Sequence, residues 1–225
     1  MDSKKRCVLL AIAAASALWS NSAGPPVRST GATVDGSQNC SRCHQTFAPA
    51  NSDPAGRLAI EVSPFTAGVK QTVRVRVEHP EGSRWGFQLT ARLLSDQTEM
   101  AGTFTATADI RVRCDAGGDA PCNGGVEFAS HQRTATGDST KPGTSGGNTF
   151  EIEWTPPATD QGPVIFYAAG NAANNSATNV GDRIYTTSLR AQPACLLTGR
   201  PVINPTGVSN GASFGAAISA NAMIS

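Results

Sequence analysis

Histidine and methionine are scarce in this sequence, three of each in 225 residues, and charged side chains make up only 16%. The first scarcity bounds any metal chemistry: beyond the initiator, the nitrogen and thioether ligands are His44, His79, His131, Met100 and Met223. There is no basic excess, with Lys+Arg 18 against Asp+Glu 17 and a formal charge of +1. A polyanion-binding protein would show such an excess, so nucleic acid is not an expected partner. The longest apolar run, residues 7–18, is too short to span a bilayer, and no transmembrane segment is expected in this chain. Gly-x-Ser-x-Gly elbows, His-Glu-x-x-His helices and Walker loops are also missing. The acidic residues cluster around no recognisable reaction centre, and the expectation is that the protein is not an enzyme.

What the chain has in plenty is Gly 23 and Pro 14, with dense Ser, Thr and Asn, as in an all-β chain with many turns. It opens on "MDSKKRCVLLAIAAASALWSNSAG": a cationic start at Lys4, Lys5 and Arg6, an apolar run, then small residues from Ser20 to Ala23. That layout predicts a secretory signal over residues 1–23 and an exported protein, periplasmic, secreted or at the cell surface. Cleavage would remove three cations and Asp2, leaving the mature chain at −1. Residues 24–57, polar and rich in Gly and Pro, read as a linker or extended arm.

From Leu58 the pattern changes. In "QTVRVRVEHP", Val73, Val75 and Val77 alternate with Arg74, Arg76 and Glu78, the period of a half-buried strand. Similar runs are "LAIEVSPFTAG", "RWGFQLTARLL", "TFTATADIRVRC", "GVEFASHQR", "NTFEIEWTPP", "PVIFYAAGNAA" and "DRIYTTSLRA". Seven or eight short strands separated by turn clusters predict one antiparallel β-sandwich over residues 58–191. Trp85, Trp154, Phe87, Phe150 and Phe166 are its expected core, and Arg74, Arg76, Arg111 and Arg113 an expected solvated face. Residues 192–225 are poor in charge and read as a linker and the start of an incomplete further module.

One motif carries chemistry. "NCSRCHQTF" places Cys40, Cys43 and His44 in the order Cys-x-x-Cys-His. Two intervening residues let both sulfurs reach the vinyl groups of one haem, and the next residue supplies the proximal imidazole. On this reading Cys40 and Cys43 attach the haem covalently and His44 ligates its iron, with haem c the one expected cofactor. A thiol redox pair, a zinc site and structural half-cystines are the competing readings; the first lacks a βαβ context and the second lacks a further Cys/His pair. His131, near a strand end, is the leading candidate for the distal ligand, ahead of His79 and Met100, while Met223 sits in the incomplete tail. With Cys7 leaving in the signal, five cysteines remain; if Cys40 and Cys43 take haem, Cys114 and Cys122 can pair across "DAGGDAP", and Cys195 is left unassigned.

The blocks "TGATVDGSQNCSRCH", "RWGFQLTA", "AGTFTAT", "EWTPPATDQGPVIFYAAGNAANNS" and "GDRIYTTS", spread over about residues 30–188, resemble the bacterial reelin-domain-like family, also called choice-of-anchor V proteins. The resemblance implies an exported immunoglobulin-like sandwich, often with Cys-x-x-Cys-His before its first strand, and a histidine where His131 stands. Against that pattern "CDAGGDAPC" looks like an insertion, which supports a local Cys114–Cys122 disulfide. The tail "GVSNGASFGAAISANAMIS" resembles the opening of a C-terminal module of acidobacterial secreted proteins. The expectation is thus an exported sandwich bearing one covalent haem and acting in electron transfer with an unidentified redox partner protein; surface association would run through a missing C-terminal part. The alternative is a non-redox surface adhesion or recognition module stapled by disulfides.

Overall fold

A computed structural model describes residues 23–194. The chain divides into two compact units, Met1–Pro193 and Ala194–Ser225, and every strand of the sandwich belongs to the first. The expected signal segment, Cys195, Met223 and the C-terminal module lie outside the described residues.

Nine strands succeed one another: β1 Arg57–Glu61, β2 Gln71–His79, β3 Arg84–Leu93, β4 Thr103–Phe104, β5 Ile110–Cys114, β6 Glu127–His131, β7 Gly146–Thr155, β8 Val164–Ala173 and β9 Arg183–Ala191. They form a four-stranded sheet, β1-β2-β7-β4, and a five-stranded sheet, β5-β6-β3-β8-β9, with every strand pair antiparallel. No α-helix occurs among the described residues. The expected sandwich is therefore present, with one strand more than the upper expectation. "TFTATADIRVRC" reads as a single run but supplies β4 to one sheet and β5 to the other. The Thr107 side chain turns the chain between them, accepting from the Ile110 N–H at 3.1 Å.

The core fills the space between the sheets. Val73, Val75 and Val77 are fully buried on one side of β2, against Phe87, Leu89 and Phe166 of the facing sheet. The Phe87 and Phe150 rings meet at 4.3 Å between centroids, and Trp154 meets Phe166 edge-on at 4.9 Å. Each indole N–H finds a backbone carbonyl, Trp85 that of Thr144 and Trp154 that of Ala101, so burial leaves neither donor orphaned. Gly170 marks the closest approach of the layers: a Cβ there would lie 2.8 Å from Leu58 Cδ1 and 2.9 Å from Val77 Cγ2. On the outer face of the four-stranded sheet the alternating charges pair across strands, Arg74 with Glu151 at 2.9 Å and Lys70 with Glu153 at 2.8 Å.

The outer face of the five-stranded sheet is covered where β3 runs through it. Nearly every residue of β3 is buried, because the segment 24–39, expected as linker, lies across it. Irregular chain can cover a sheet only if its polar groups are met, and here β3 meets them. Gln88 accepts from the Ser29 N–H at 2.6 Å and donates to the Pro26 carbonyl at 2.8 Å. Arg92 donates to Asp35 at 2.8 Å, and this pair is 3% and 4% exposed. Arg28 holds Asp115 at 2.6 Å through two nitrogens, and the guanidinium keeps the Asp115 carboxyl below the usual carboxylate range. Arg111 and Arg113 donate to the carbonyls of Ala23 and Pro25, so they bind the segment instead of forming a free polar face.

Glu127 in β6 is buried, with its carboxylate accepting from the Phe104 N–H at 2.6 Å. Burial pushes its carboxyl above the usual range, and the single hydrogen bond offsets this only in part. The folded protein thus keeps this proton to higher pH than the unfolded chain, so this group lowers stability as pH rises through that interval. Glu127→Gln is expected to be more stable than wild type at pH 7, with the advantage vanishing below about pH 4. Urea midpoints at the two pH values check this; an advantage of equal size at both would contradict it.

Candidate functional site

The Cys-x-x-Cys-His stretch folds as one helical turn. Asn39 starts it, its side chain accepting from the Ser41 N–H at 2.9 Å, as an N-cap does. Cys40–Arg42 is 3-10 helix, and the Cys40 carbonyl accepts from both Cys43 N–H at 3.2 Å and His44 N–H at 3.0 Å. Cys40, Cys43 and His44 thus lie on one turn, with Cys43 exposed, Cys40 half-buried and the His44 ring turned to Asp182. The turn stops as the prolines predict, and residues 46–51 are turns.

The turn is fastened to β9 and the β8–β9 connection. Asn179 donates to the Cys43 carbonyl, and the Gly181 N–H donates to Thr46 Oγ1 at 3.0 Å. The Asn51 N–H reaches the Ile184 carbonyl at 2.8 Å, and the Asn51 side chain pairs with the Thr186 backbone. Arg183 lies over the Phe47 ring at 4.4 Å, held in turn by Asp53 at 2.7 Å and Glu81 at 2.5 Å.

At its centre His44 Nδ1 lies 2.7 Å from Asp182 Oδ2, whose side chain is wholly buried. An ionised carboxylate only accepts, so the proton of this contact is on Nδ1, and in a neutral ring the lone pair is then on Nε2. The second carboxylate oxygen accepts from the Asn174 N–H at 3.2 Å. Asn171 Nδ2 lies 3.4 Å from both His44 Nδ1 and Asp182 Oδ2, while its own Oδ1 is buried with no partner among protein atoms. Asp182 and Asn171 escaped the sequence reading. Asp182, between Gly181 and Arg183, reads as a turn residue; Asn171 had a signal, as the one amide in the otherwise apolar "VIFYAAGNAA".

The two thiols differ. Cys43 is exposed and Cys40 half-buried, and neither is in a disulfide. Burial pushes the Cys40 thiol up to about 12, so at neutral pH it stays protonated. Cys114 and Cys122 are joined in a disulfide at the end of β5. Among the described residues no three His, Cys, Asp or Glu side chains converge as for a bare metal ion.

His131 is buried in β6 with Nδ1 2.9 Å from the Phe87 backbone nitrogen and 3.1 Å from the Phe87 carbonyl oxygen. Its ring lies over Gly86, where a Cβ would come within 2.9 Å of its Cε1, so this strand position requires glycine. Gly86 is the ladder partner of Asn171, and directly opposed residues share a sheet face. His131 and the His44–Asn171 contact thus flank the same Gly86–Asn171 pair. The other distal candidates hold structural contacts: His79 bonds Asp53 and the Glu81 N–H through its two nitrogens, and Met100 Sδ accepts from the Glu127 N–H.

No protein-family model matches this chain, and no curated protein does. Among solved structures it is similar to a fragment of the human F-spondin reeler domain, at 16% identity and a TM-score of 0.35, covering 62% of this chain and 92% of that one. The Reelin-N domain of F-spondin aligns at 16% identity and 0.36, over 68% of this chain and 96% of that one. A type I cohesin of Pseudobacteroides cellulosolvens scores as well, with 13% identity, 0.36, and coverage of 65% and 98%. Reelin-type and cohesin sandwiches are matched alike, and at these scores the likeness carries no argument about activity.

Proposed function

We propose that this protein is an exported β-sandwich that carries one covalent haem on the Cys40–His44 turn and acts in electron transfer. The observation that carries the reading is the pairing of His44 Nδ1 with buried Asp182 on a turn that also projects two unpaired cysteines. Metal-bound histidines characteristically donate their second ring N–H to a carboxylate or carbonyl, which fixes the tautomer and turns the other nitrogen to the metal.

The residues present fit the group. Cys40 and Cys43 would hold the porphyrin through thioethers, with each S–H adding across one vinyl group so that no atom is lost. His44 Nε2 would hold the iron, and His131 is the candidate for a second ligand to it. When bound, the haem supplies one-electron chemistry. The chain's own part is to hold the imidazole. Asp182 and Asn171 orient it, and Asn179, Thr46 and Asn51 tie its turn to β9. The turn stands on the edge of a rigid sandwich, so its geometry is set by the sheet and not by a mobile arm.

The test is the full chain, exported in a host with c-type haem maturation machinery, with its intact mass and its reduced-minus-oxidised spectrum recorded. One covalent haem with sharp reduced α and β bands is the expected result. A mass of protein alone, with no haem absorption, ends the proposal.

A further inference from the structure

We propose that Asp182 is a positioning residue that lends His44 anionic character and makes this a low-potential site, an electron donor to its partner; the inference rests on the haem reading above. Asp182 is completely buried, and a buried carboxylate needs compensation. Its contacts are His44 Nδ1 at 2.7 Å, the Asn174 N–H at 3.2 Å and Asn171 Nδ2 at 3.4 Å. Among the described residues no Lys or Arg pairs with it, and the ring that meets it is His44. The neighbouring cation, Arg183, is committed to Asp53 and Glu81.

A neutral carbonyl on Nδ1 would orient the ring equally well but would bring no charge. A carboxylate in a dry site draws the Nδ1 proton toward itself, raises the electron density on Nε2 and favours whichever oxidation state is more positive. The ferric form is therefore the one stabilised. Asn171 sharpens the geometry, since its amide N–H donates to the same Asp182 oxygen at 3.4 Å and it sits on β8, in register with both Gly86 of β3 and Ile184 of β9. The couple is locked to three adjacent strands.

The experiment compares the haem-loaded full-length wild type with Asp182→Asn and Asp182→Glu by spectroelectrochemical titration. The imidazole tautomer of His44 is read separately by ¹⁵N NMR on the haem-free full chain. Asp182→Asn keeps the volume and removes the charge, and is expected to shift the ferric/ferrous equilibrium ten- to a hundredfold toward ferrous, at about 59 mV per tenfold for one electron. Asp182→Glu keeps the charge and recovers most of the wild-type potential. It also serves as the measurable variant should Asp182→Asn fail to fold, and a charge-retaining protein that nonetheless titrates far above wild type would count against the inference. In the NMR spectrum the protonated Nδ1 of wild type is expected to persist in Asp182→Asn, whose amide oxygen accepts from it, so that the change in potential reports the lost charge and not a turned ring. A wild type that carries haem, with an Asp182→Asn potential within twofold of it in equilibrium constant, overturns this inference and leaves the haem reading standing. A wild type without haem overturns both.

Discussion

Cys40→Ser with Cys43→Ser is expected to abolish covalent haem completely while leaving the sandwich intact. Neither sulfur supports the fold: Cys43 is exposed, Cys40 is half-buried, and neither is cross-linked. Serine is close to isosteric, and substitutions away from the core cost within about 0.5 kcal/mol. The intact mass of the double variant should fall to protein alone, with an unchanged thermal midpoint. Each single variant should keep the full adduct mass through one remaining thioether. If the double variant instead loses its folded circular dichroism, the two cysteines have a structural role, and the stapled recognition module becomes the better account. Among the described residues the disulfide present joins Cys114 to Cys122.

Asp35→Ala should produce the largest loss of stability, about 3–5 kcal/mol, because it strands the Arg92 guanidinium under the segment that covers β3. Desolvation by burial already lowers the Arg92 pKa, and Asp35 is the chief counterweight. At this chain size the loss corresponds to a thermal midpoint lowered by roughly 6–20 °C. Replacing both charges with apolar residues, Asp35→Leu with Arg92→Met, should restore most of it, since a buried pair can be exchanged for packed apolar groups at little cost. Differential scanning calorimetry separates the two variants. A loss under about 1 kcal/mol for Asp35→Ala would mean that the segment 24–39 lifts off and the arginine rehydrates. The same segment leads directly into Cys40, so its release should also loosen the turn that holds His44.

How much of this was legible in the sequence depends on the range of the interaction. Each strand comes from alternation within about ten residues, and Val73, Val75 and Val77 declare their face without reference to anything distant. The site motif is equally local: Cys40, Cys43 and His44 share a turn because of their spacing, and Asn39 caps it from the adjacent position. Those features the chain determined by itself, as it did the aromatic core of Trp85, Trp154, Phe87, Phe150 and Phe166.

Tertiary structure decided the rest, in every case because the deciding partner is remote in sequence. Gln88, Thr90 and Arg92 alternate like solvent-facing residues, yet they are buried under a segment more than fifty positions earlier. Alternation reports which residues share a face, not what covers that face, and an irregular segment with its own polar groups leaves no periodic trace. Asp182 stands 138 residues from His44 and Asn171 stands 127 from it. Sequence could name the imidazole. Only the antiparallel register of β3, β8 and β9 could bring it a buried carboxylate, because the strands that carry Asn171 and follow Asp182 are paired there by contacts far apart in the chain.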